Sequence, residues 1–365
     1  MNNQIKIIYA DSKGGVKTVS NILHKSFINN SINCELLNMN DYGKNLWQKL
    51  KNSYKTIETY NKKDILILQH YDPIFLGIFL KFIGYKNIIN VVHTNLFDYY
   101  NSVSSLKKMI IKFMFYIIRN DLIVFVSNEA ELKAKKKFNL ANTKTIYNIY
   151  NFNKNINNNS KINEKIVLGT VSRLHSVKNI DLAIRVIKEL HNQDNNIKLL
   201  IYGDGEQKEL MHNYIKKLNC SEYIKLMGSE NNKEKIYNSI DALISFSSIE
   251  GFGMTILESI NFKKPIFYTD CSSGPRELMS PNSNPLEKTK NFEKTDVGYL
   301  VKPIQKIRAY ELELDKYEEE YVDILNFFVD DVKNNKFSMK YDEDRFSEEI
   351  IINEWKKIIM EIRWN

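Results

Sequence analysis

Cysteine, proline and long apolar stretches are scarce in this sequence, and each scarcity excludes a class of protein. The 365 residues include only 3 cysteines and 6 prolines. Cys34, Cys220 and Cys271 are too few and too far apart for a disulfide framework or a zinc site, so we expect reduced thiols in a cytosolic protein. No run of about 18 uncharged apolar residues occurs, which excludes a transmembrane helix. The opening residues, MNNQIKIIYA, lack the pattern of a secretory signal, and we expect a cytoplasmic location.

Apolar residues are nevertheless plentiful enough for a folded protein of two domains. They make up 43% of the chain, and charged residues make up 26%, which argues against intrinsic disorder. At roughly 100–200 residues per domain, the length predicts two domains, each with a core of its own.

Charge is unevenly distributed along the chain. Residues 1–155 contain 22 Lys and Arg against 10 Asp and Glu, whereas the remainder contains 30 against 34. A basic first half predicts an anionic partner, such as nucleic acid, a phosphorylated lipid or a membrane surface. The alternative is that the lysines serve only solubility, and charge alone leaves both interpretations open.

Short β-branched runs alternate with helical patterns in the first half. Runs of five or six apolar residues between turn signals are typical of a parallel sheet that is covered on both faces. We therefore predict a doubly wound α/β domain. Its predicted strands are IKIIYA (5–10), CELLNM (34–39), DILILQ (64–69), NIINVVH (87–93) and LIVFVS (122–127).

The same alternation restarts after an Asn-rich segment at residues 151–164, which we interpret as a linker. This alternation predicts a second doubly wound domain. The parallel sheets of doubly wound domains bind ligands at the carboxyl ends of their strands. Residues 280–296 have the composition of a loop, residues 310–335 predict an acidic helix, and an amphipathic helix follows. The predicted strands are KIVLGTVS (165–172), IKLLIYG (197–203), YIKLMG (223–228), ALISFS (242–247) and PIFYTD (265–270).

The strongest local signal lies in SSIEGFGMTILES (247–259), where a predicted strand passes into a helix. Glu250 and Glu258 are separated by seven residues, and a Gly-Phe-Gly turn follows the first of them. Glycines there let backbone N–H groups approach a ligand closely, and a helix N-terminus attracts anions. This pattern predicts a site for a phosphate or a sugar, with the two glutamates holding two ends of one polar ligand. The alternative is a capping acid and a solvated helix residue.

Glu250 and Glu258 around this turn resemble the E-x7-E motif of GT-B glycosyltransferases, and of glycosyltransferase family 4 in particular. Other segments in the same order resemble that family: TVSRLHSVKNIDLAI (170–184), LLIYGDGEQKELM (199–211), IKLMGSENNKEKIYNSIDALISFS (224–247), CSSGPRELM (271–279) and VGYLVKP (297–303). The resemblance implies an α/β GT-B fold of two doubly wound, Rossmann-like domains that face a central cleft. Residues 1–155 would bind the acceptor, residues 164–340 would bind a nucleotide sugar, and a helix at 345–365 would cross back to the first domain.

Most site residues are implied by that resemblance. Arg173 and Lys178 would neutralise the leaving diphosphate, although His175-Ser176-Val177 between them departs from the usual family residues. Glu250 would hold the transferred sugar, and Glu258 would hold the ribose. The implied donor-binding positions are Gly14, Gly15, Gly203, Met227, Gly251, Phe252, Gly253, Met254, Thr255 and Glu258.

Two features of the first half complete the expected site. Gly14-Gly15 would lie on the diphosphate and acceptor side, with a purely structural turn as the alternative. His93 ends a predicted strand at the family position of a histidine that points at the sugar. His70, which ends the neighbouring strand, is its competitor.

No cofactor or metal is expected beside the nucleotide sugar. Gly203-Asp-Gly205 lacks the third glycine and the following acid of a dinucleotide fingerprint. Asp342-Glu-Asp344 matches a metal-binding D-x-D formally, but capping of the next helix explains it. The segment Leu106–Ile118 is apolar with interspersed lysines, and it predicts either a core helix or one that lies on an anionic membrane.

The expected activity is that of a retaining, metal-independent glycosyltransferase. The enzyme would transfer a hexose or N-acetylhexosamine, with UDP as the expected carrier, to a glycan or lipid-linked saccharide of a bacterial surface polysaccharide such as capsule or lipopolysaccharide. It would act in the cytoplasm or at the inner face of the membrane and would not bind nucleic acid. The alternatives are a UDP-sugar epimerase or phosphorylase-like enzyme of the same fold, and a catalytically silent binding protein.

Overall fold

The computed structural model describes residues 4–11, 15–43, 45–153, 165–194 and 196–364, which form two compact units. The first unit takes its described residues from Met1–Phe152 and Glu343–Asn365, and the second from Asn153–Asp342. Most of the predicted linker, residues 154–164, lies outside the described residues. Within the described ranges, no helix is both long enough and apolar enough to cross a membrane.

The first unit is built on a parallel sheet of six strands in the order β2-β1-β3-β4-β5-β6. Every residue of the four strands β1, β3, β4 and β5 is buried, which explains why their sequences are apolar apart from Lys6, Gln69 and Asn90. The strands are β1 (Ile5–Tyr9), β2 (Cys34–Asn38), β3 (Ile65–Gln69), β4 (Ile88–Val92), β5 (Leu122–Phe125) and β6 (Thr143–Thr145).

Six helices connect these strands and cover the sheet. They are α1 (Gly15–Asn29), α2 (Leu46–Ile57), α3 (Tyr71–Phe82), α4 (Leu96–Ser102), α5 (Ser105–Ile117) and α6 (Asn128–Phe138). Side-chain caps fix several of their starts. Asn45 begins α2 by accepting a hydrogen bond from the Gln48 backbone N–H, and Ser127 begins α6 in the same way through Ala130.

The second unit contains a sheet of seven strands in the order β12-β13-β11-β10-β7-β8-β9. Only β12 runs antiparallel, paired with β13. The prediction that residues 280–296 are entirely loop was therefore wrong at its end, where β12 forms the sheet edge. The strands are β7 (Ile166–Val171), β8 (Ile197–Tyr202), β9 (Ile224–Gly228), β10 (Ala242–Ser245), β11 (Ile266–Thr269), β12 (Phe292–Thr295) and β13 (Gly298–Val301).

The helices of the second unit pack an apolar core around that sheet. They are α7 (Ile180–Gln193), α8 (Lys208–Lys217), α9 (Lys233–Asn238), α10 (Met254–Asn261), α11 (Pro275–Met279) and α12 (Lys316–Lys333). The predicted acidic helix begins later than expected, because the Asp315 side chain caps α12 and Glu318 completes a capping box. Helix α12 packs against α7, and Tyr321, Leu325 and Phe328 are fully buried there.

The last helix, α13 (Glu348–Trp364), belongs to the first unit, as the expected crossover required. Its Trp355 ring meets Phe27 of α1 edge-on at 6.0 Å, and Glu361 pairs with Lys144 at 2.7 Å. The expected fold class is confirmed: each unit carries a doubly wound, mostly parallel sheet.

Candidate functional site in the second unit

The carboxyl ends of β7, β8, β10 and β11 lie at one edge of the second sheet, because these adjacent strands are parallel. The loop after β7 is fixed to the segment after β10. The Asn179 side-chain amide donates to the Phe246 carbonyl at 2.8 Å, and the Ser248 backbone N–H donates to the Val177 carbonyl at 2.8 Å. Lys178 lies between these two anchors, so its position at the edge is well defined.

Lys178 and Glu250 form an ion pair at this edge. Lys178 Nζ lies 2.6 Å from Glu250 Oε1, and the side chains are 19% and 11% exposed. Tyr268, the third residue of β11, donates its hydroxyl to the same carboxylate oxygen at 2.7 Å. The Glu250 backbone N–H donates to the Ser272 carbonyl at 3.1 Å, which ties this residue to the loop after β11. Lys178 of the loop after β7 and Tyr268 of β11 therefore meet at the Glu250 carboxylate, while the loop after β11 holds the Glu250 backbone.

The electrostatics of this cluster favour the ionised form of Glu250. Burial by itself raises the pKa of Glu250, but the ammonium of Lys178 and the hydrogen bonds from Lys178, Ser247 and Tyr268 outweigh it and lower the pKa below its ordinary value. Burial, together with the Glu250 charge, raises the pKa of Tyr268 well above its ordinary value. The carboxylate is thus charged at neutral pH, and the phenol stays a hydrogen-bond donor.

The Gly-Phe-Gly turn connects Glu250 to the start of α10. Gly253 adopts φ 97°, a left-handed conformation that glycine adopts without strain, and it precedes the first helical residue. Phe252 is buried, whereas Gly251, Met254 and Thr255 are half-buried. The first backbone N–H groups of a helix have no intrahelical partner and carry the positive end of the helix dipole. This edge can therefore bind an anionic group such as a phosphate.

The second glutamate of the motif is held in the same manner as the first. Tyr237 donates its hydroxyl to Glu258 Oε2 at 2.9 Å, and Lys233 Nζ lies 2.9 Å from Glu258 Oε1. Each glutamate is thus bound by one tyrosine hydroxyl and one lysine ammonium. Sequence reasoning missed both tyrosines. The one signal for Tyr268 in the sequence is that a tyrosine inside an apolar strand needs a hydrogen-bond partner for its hydroxyl.

The other donor-site candidates of this unit lie around the same strands. Arg173 follows β7, is exposed, and forms no ion pair with any residue that the structure describes. Gly203 follows β8 with φ 142°, and a Cβ there would lie 1.8 Å from the Ser172 carbonyl oxygen, so only glycine fits. Met227 is 47% exposed. It lies within β9, in the predicted strand at 223–228.

The candidates of the first unit lie at the carboxyl edge of the first sheet. His93 follows β4, is buried, and hydrogen-bonds through Nε2 to the side-chain amide oxygen of Gln69. Burial lowers the pKa of His93 to about 3 and that of His70 to about 4, so both rings are neutral at physiological pH. Gly15 is the first residue of α1, and Gly14 lies outside the described residues.

The described part of the chain contains no cluster of side chains that could bind a metal ion. No group of three or more His, Cys, Asp or Glu side chains is placed there to hold an ion. Asp344 of the D-x-D match begins a short 3-10 turn, Asp344–Phe346, ahead of α13.

Comparisons with known proteins agree with the glutamate motif at the carboxyl edge of the second sheet. Residues 151–321 match the family described as glycosyl transferases group 1. Over 355 residues the chain is 27% identical to an uncharacterised glycosyltransferase of Methanocaldococcus jannaschii, which covers 89% of this chain and 87% of that protein. Over 198 residues it is 27% identical to a poly(ribitol-phosphate) alpha-N-acetylglucosaminyltransferase of Staphylococcus aureus, but this match spans only 39% of that enzyme and 53% of this chain.

A solved structure shows the same fold along nearly the whole chain. HepE of Anabaena, in complex with UDP-glucose, matches with a TM-score of 0.71 at 17% identity and covers 98% of this chain and 99% of that one. The fold, the ordered sequence match and the glutamate pair at the sheet edge agree with one another. The resemblance to glycosyltransferase family 4 is therefore confirmed: residues 151–321 match the glycosyl transferases group 1 family, and the whole chain has the GT-B fold.

Proposed function

We propose that the protein is a retaining glycosyltransferase that transfers a hexose or N-acetylhexosamine from a UDP-sugar to a hydroxyl group of a surface glycan or a lipid-linked saccharide. The observation that carries the proposal is the cluster of Lys178, Glu250 and Tyr268 beside the start of α10. It joins a cation, a charged acceptor of hydrogen bonds and a set of backbone donors at one sheet edge. Those are the groups that a sugar attached to a diphosphate requires.

The proposed reaction breaks the bond between the anomeric carbon and the diphosphate oxygen. The acceptor oxygen forms the new bond on the same face of the sugar, and its proton passes to the leaving phosphate. Lys178 and Arg173 stabilise the negative charge that develops on the diphosphate, together with the N–H groups of Met254 and Thr255. No metal ion is needed in this scheme, because these cations and donors supply the positive charge.

Glu250 and Glu258 would orient the two ends of the donor. An ionised carboxylate accepts hydrogen bonds from hydroxyl groups, so Glu250 suits the sugar hydroxyls and Glu258 the ribose. Tyr268 and Tyr237 are positioning residues in this proposal, because each binds its glutamate and not the reacting atoms. The loops at Gly203, Met227 and the Gly251-Phe252-Gly253 turn would complete the donor site.

The first unit would supply the acceptor side. We assign to His93 a hydrogen bond to the transferred sugar. Nε2 of the neutral ring donates to the Gln69 amide oxygen, so Nδ1 would accept from a sugar hydroxyl. Gly14-Gly15 would line the diphosphate and acceptor side. A lipid-linked acceptor would place the enzyme at the inner face of the cell membrane.

The choice of UDP and of a surface glycan rests on similar proteins. The Staphylococcus aureus relative is named as an N-acetylglucosaminyltransferase that acts on poly(ribitol-phosphate), and the Anabaena structure holds UDP-glucose. A further relative, 34% identical over 117 residues, is a Campylobacter jejuni transferase whose name includes a diphospho-undecaprenol acceptor.

Thermal-shift titrations with UDP, GDP, ADP and NAD, in the presence of a chelator, test the donor class. A ligand that binds the native state raises its stability by RT ln(1 + [L]/Kd), so the nucleotide of the true donor gives the largest shift. We expect UDP to give that shift without added metal. A shift only with GDP or ADP would refute the assignment of UDP, and a shift only after magnesium is added would refute metal independence.

Release of UDP from candidate UDP-sugars then tests the reaction. We expect release to depend on an added acceptor, whereas an epimerase would convert the donor without releasing UDP. Lys178→Ala and Arg173→Ala should each cost roughly 2–4 kcal/mol of transition-state stabilisation, as loss of one oxyanion donor does. Lys216→Ala, an exposed change on α8, is the matched control. Equal turnover in all three variants would refute the assigned roles.

A further inference from the structure

Helix α5 of the first unit is apolar on two opposite sides, and only one of them is covered by protein. Its inner side packs into the core through Ile111, Met114 and Phe115, all buried. The other side is exposed to solvent and contains, at helical spacing, Leu106, Met109, Ile110, Phe113 and Tyr116. Met109 and Phe113 are each 64% exposed. A helix with a second apolar side is typical of one that meets an apolar partner.

Helix α3 packs beside α5 and extends the same apolar surface. Phe82, at the end of α3, is 81% exposed, and Phe79 one turn earlier is 44% exposed. We call the exposed residues of both helices the α3–α5 face; they are Phe79, Phe82, Leu106, Met109, Ile110, Phe113 and Tyr116. A contiguous apolar surface of this kind is uncommon on a protein that stays fully solvated.

Basic residues flank the face, and α5 itself contains no acidic residue. Lys107 and Lys112 are exposed on α5, and Lys108 is half-buried beside them. Arg119, just after the helix, lies 4.1 Å from the Tyr116 ring centre. The unit as a whole, residues 1–152 and 343–365, has a basic excess of 25 Lys and Arg against 16 Asp and Glu.

We propose that the α3–α5 face is the surface on which the protein docks onto an anionic lipid membrane. The exposed aromatic and aliphatic side chains would enter the boundary between headgroups and acyl chains, and the lysines would pair with lipid phosphates. Charge complementarity favours this partner over a second copy of the chain. A symmetric self-contact places the same patch on both sides, so it would bring the lysines of one copy close to the lysines of the other.

Co-sedimentation with lipid vesicles tests the proposal without any substrate, so its outcome is independent of the proposed reaction. We expect the full-length protein to bind vesicles that contain phosphatidylglycerol and to bind phosphatidylcholine vesicles much more weakly. Binding should also weaken as salt is raised, because salt screens the lysine–phosphate attraction. Failure to bind phosphatidylglycerol vesicles at low salt would overturn the proposal.

Two variants separate the apolar from the ionic contribution. Phe82→Gln with Phe113→Gln removes two exposed rings, and Lys107→Gln with Lys112→Gln removes two exposed charges; none of these side chains supports the core. Each double variant should lower partitioning onto the anionic vesicles by roughly tenfold or more. Lys216→Gln with Lys217→Gln, two exposed charges on α8 of the second unit, is the matched control and should bind normally.

The other possible occupant of the face gives a distinct result. If the face joined two copies of the chain, light scattering would show a dimer in the absence of lipid, and Phe82→Gln with Phe113→Gln would convert it to a monomer. That outcome would overturn the membrane assignment. Equal lipid binding by the ring variant and the α8 control would overturn it as well.

Discussion

Removing the Tyr268 hydroxyl tests its contact with the ionised carboxylate of Glu250 in the proposed donor site. The change Tyr268→Phe deletes one oxygen atom from a buried side chain and leaves its ring packing intact. In the native protein that oxygen donates to Glu250 Oε1 at 2.7 Å, and both side chains are shielded from water. Lys178 remains as the partner of the carboxylate.

The size of the effect follows from the charge of the acceptor. A hydrogen bond to a charged group contributes about 1.5–3 kcal/mol, and solvent does not replace it at a buried site. If Glu250 orients the sugar in the transition state, turnover should fall by roughly tenfold to a hundredfold, at about 1.4 kcal/mol per factor of ten. The Michaelis constant for the donor should change less, because Glu258 and the start of α10 are untouched.

The pH dependence of turnover gives a second, independent readout. The folded protein holds the pKa of Glu250 below its ordinary value, so the stabilisation of the ionised form is present above the unfolded pKa and is lost as pH falls through the folded one. Losing the Tyr268 donor raises the pKa of Glu250. The acid limb of the pH–rate profile should therefore shift to higher pH in the variant.

Initial rates of UDP release at saturating donor, measured across pH, are the assay. Tyr299→Phe is the matched control: it removes a hydroxyl that donates at 2.7 Å to the buried carboxylate of Asp331, between β13 and α12. That variant should lose stability and keep both its turnover per folded molecule and its acid limb. If Tyr268→Phe behaves like Tyr299→Phe, the positioning role of Tyr268 is refuted.

Three further changes have separate expected outcomes. Tyr237→Phe removes the donor to Glu258 Oε2 and should raise the donor KM about tenfold with little change in kcat; an effect on kcat alone would contradict a role in ribose binding. Gly203→Ala places a Cβ 1.8 Å from a backbone carbonyl oxygen, so we expect it to lower the free energy of unfolding by at least about 1–3 kcal/mol in urea titrations. Gly15→Ala is the control and should leave the free energy of unfolding unchanged, because the space around Gly15 is open. Burial raises the pKa of the Cys34 thiol to about 12, so iodoacetamide at pH 8 should label Cys34 only after denaturation, as peptide mass spectrometry would show.

The strands of both sheets could be predicted because burial on two faces leaves an uninterrupted apolar run. LIVF of β5 is such a run, and IKIIY of β1 is interrupted only by Lys6; each forms a fully buried strand. The edge strand β12, Phe292–Thr295, has the sequence FEKT, and none of its residues is fully buried, so its composition resembled a loop. Edge strands make half the usual contacts, and their sequences are correspondingly less constrained.

The glutamates of the site could be predicted and their tyrosines could not. Glu250 and Glu258 belong to a local pattern, in which spacing and the intervening glycines are visible in the sequence. Tyr268 reaches Glu250 only because β11 pairs with β10 in the register that sets Ser245 opposite Tyr268. That register is a property of the assembled sheet. A contact that depends on strand pairing, such as that between Tyr268 and Glu250, leaves no periodic pattern in the sequence from which it could be predicted.

The return of α13 to the first unit has a consequence for the order in which the protein matures on the ribosome. The nascent chain emerges with the sheet and helices of the first unit, then the whole second unit, and only later the residues of α13. Until then the surface around Phe27 lacks Trp355, which is buried in the finished protein. The second unit is continuous in sequence and can close co-translationally, whereas the first waits for its last helix. The earliest part of the chain is therefore the last to complete its core, and its apolar surface is exposed to chaperones for most of synthesis.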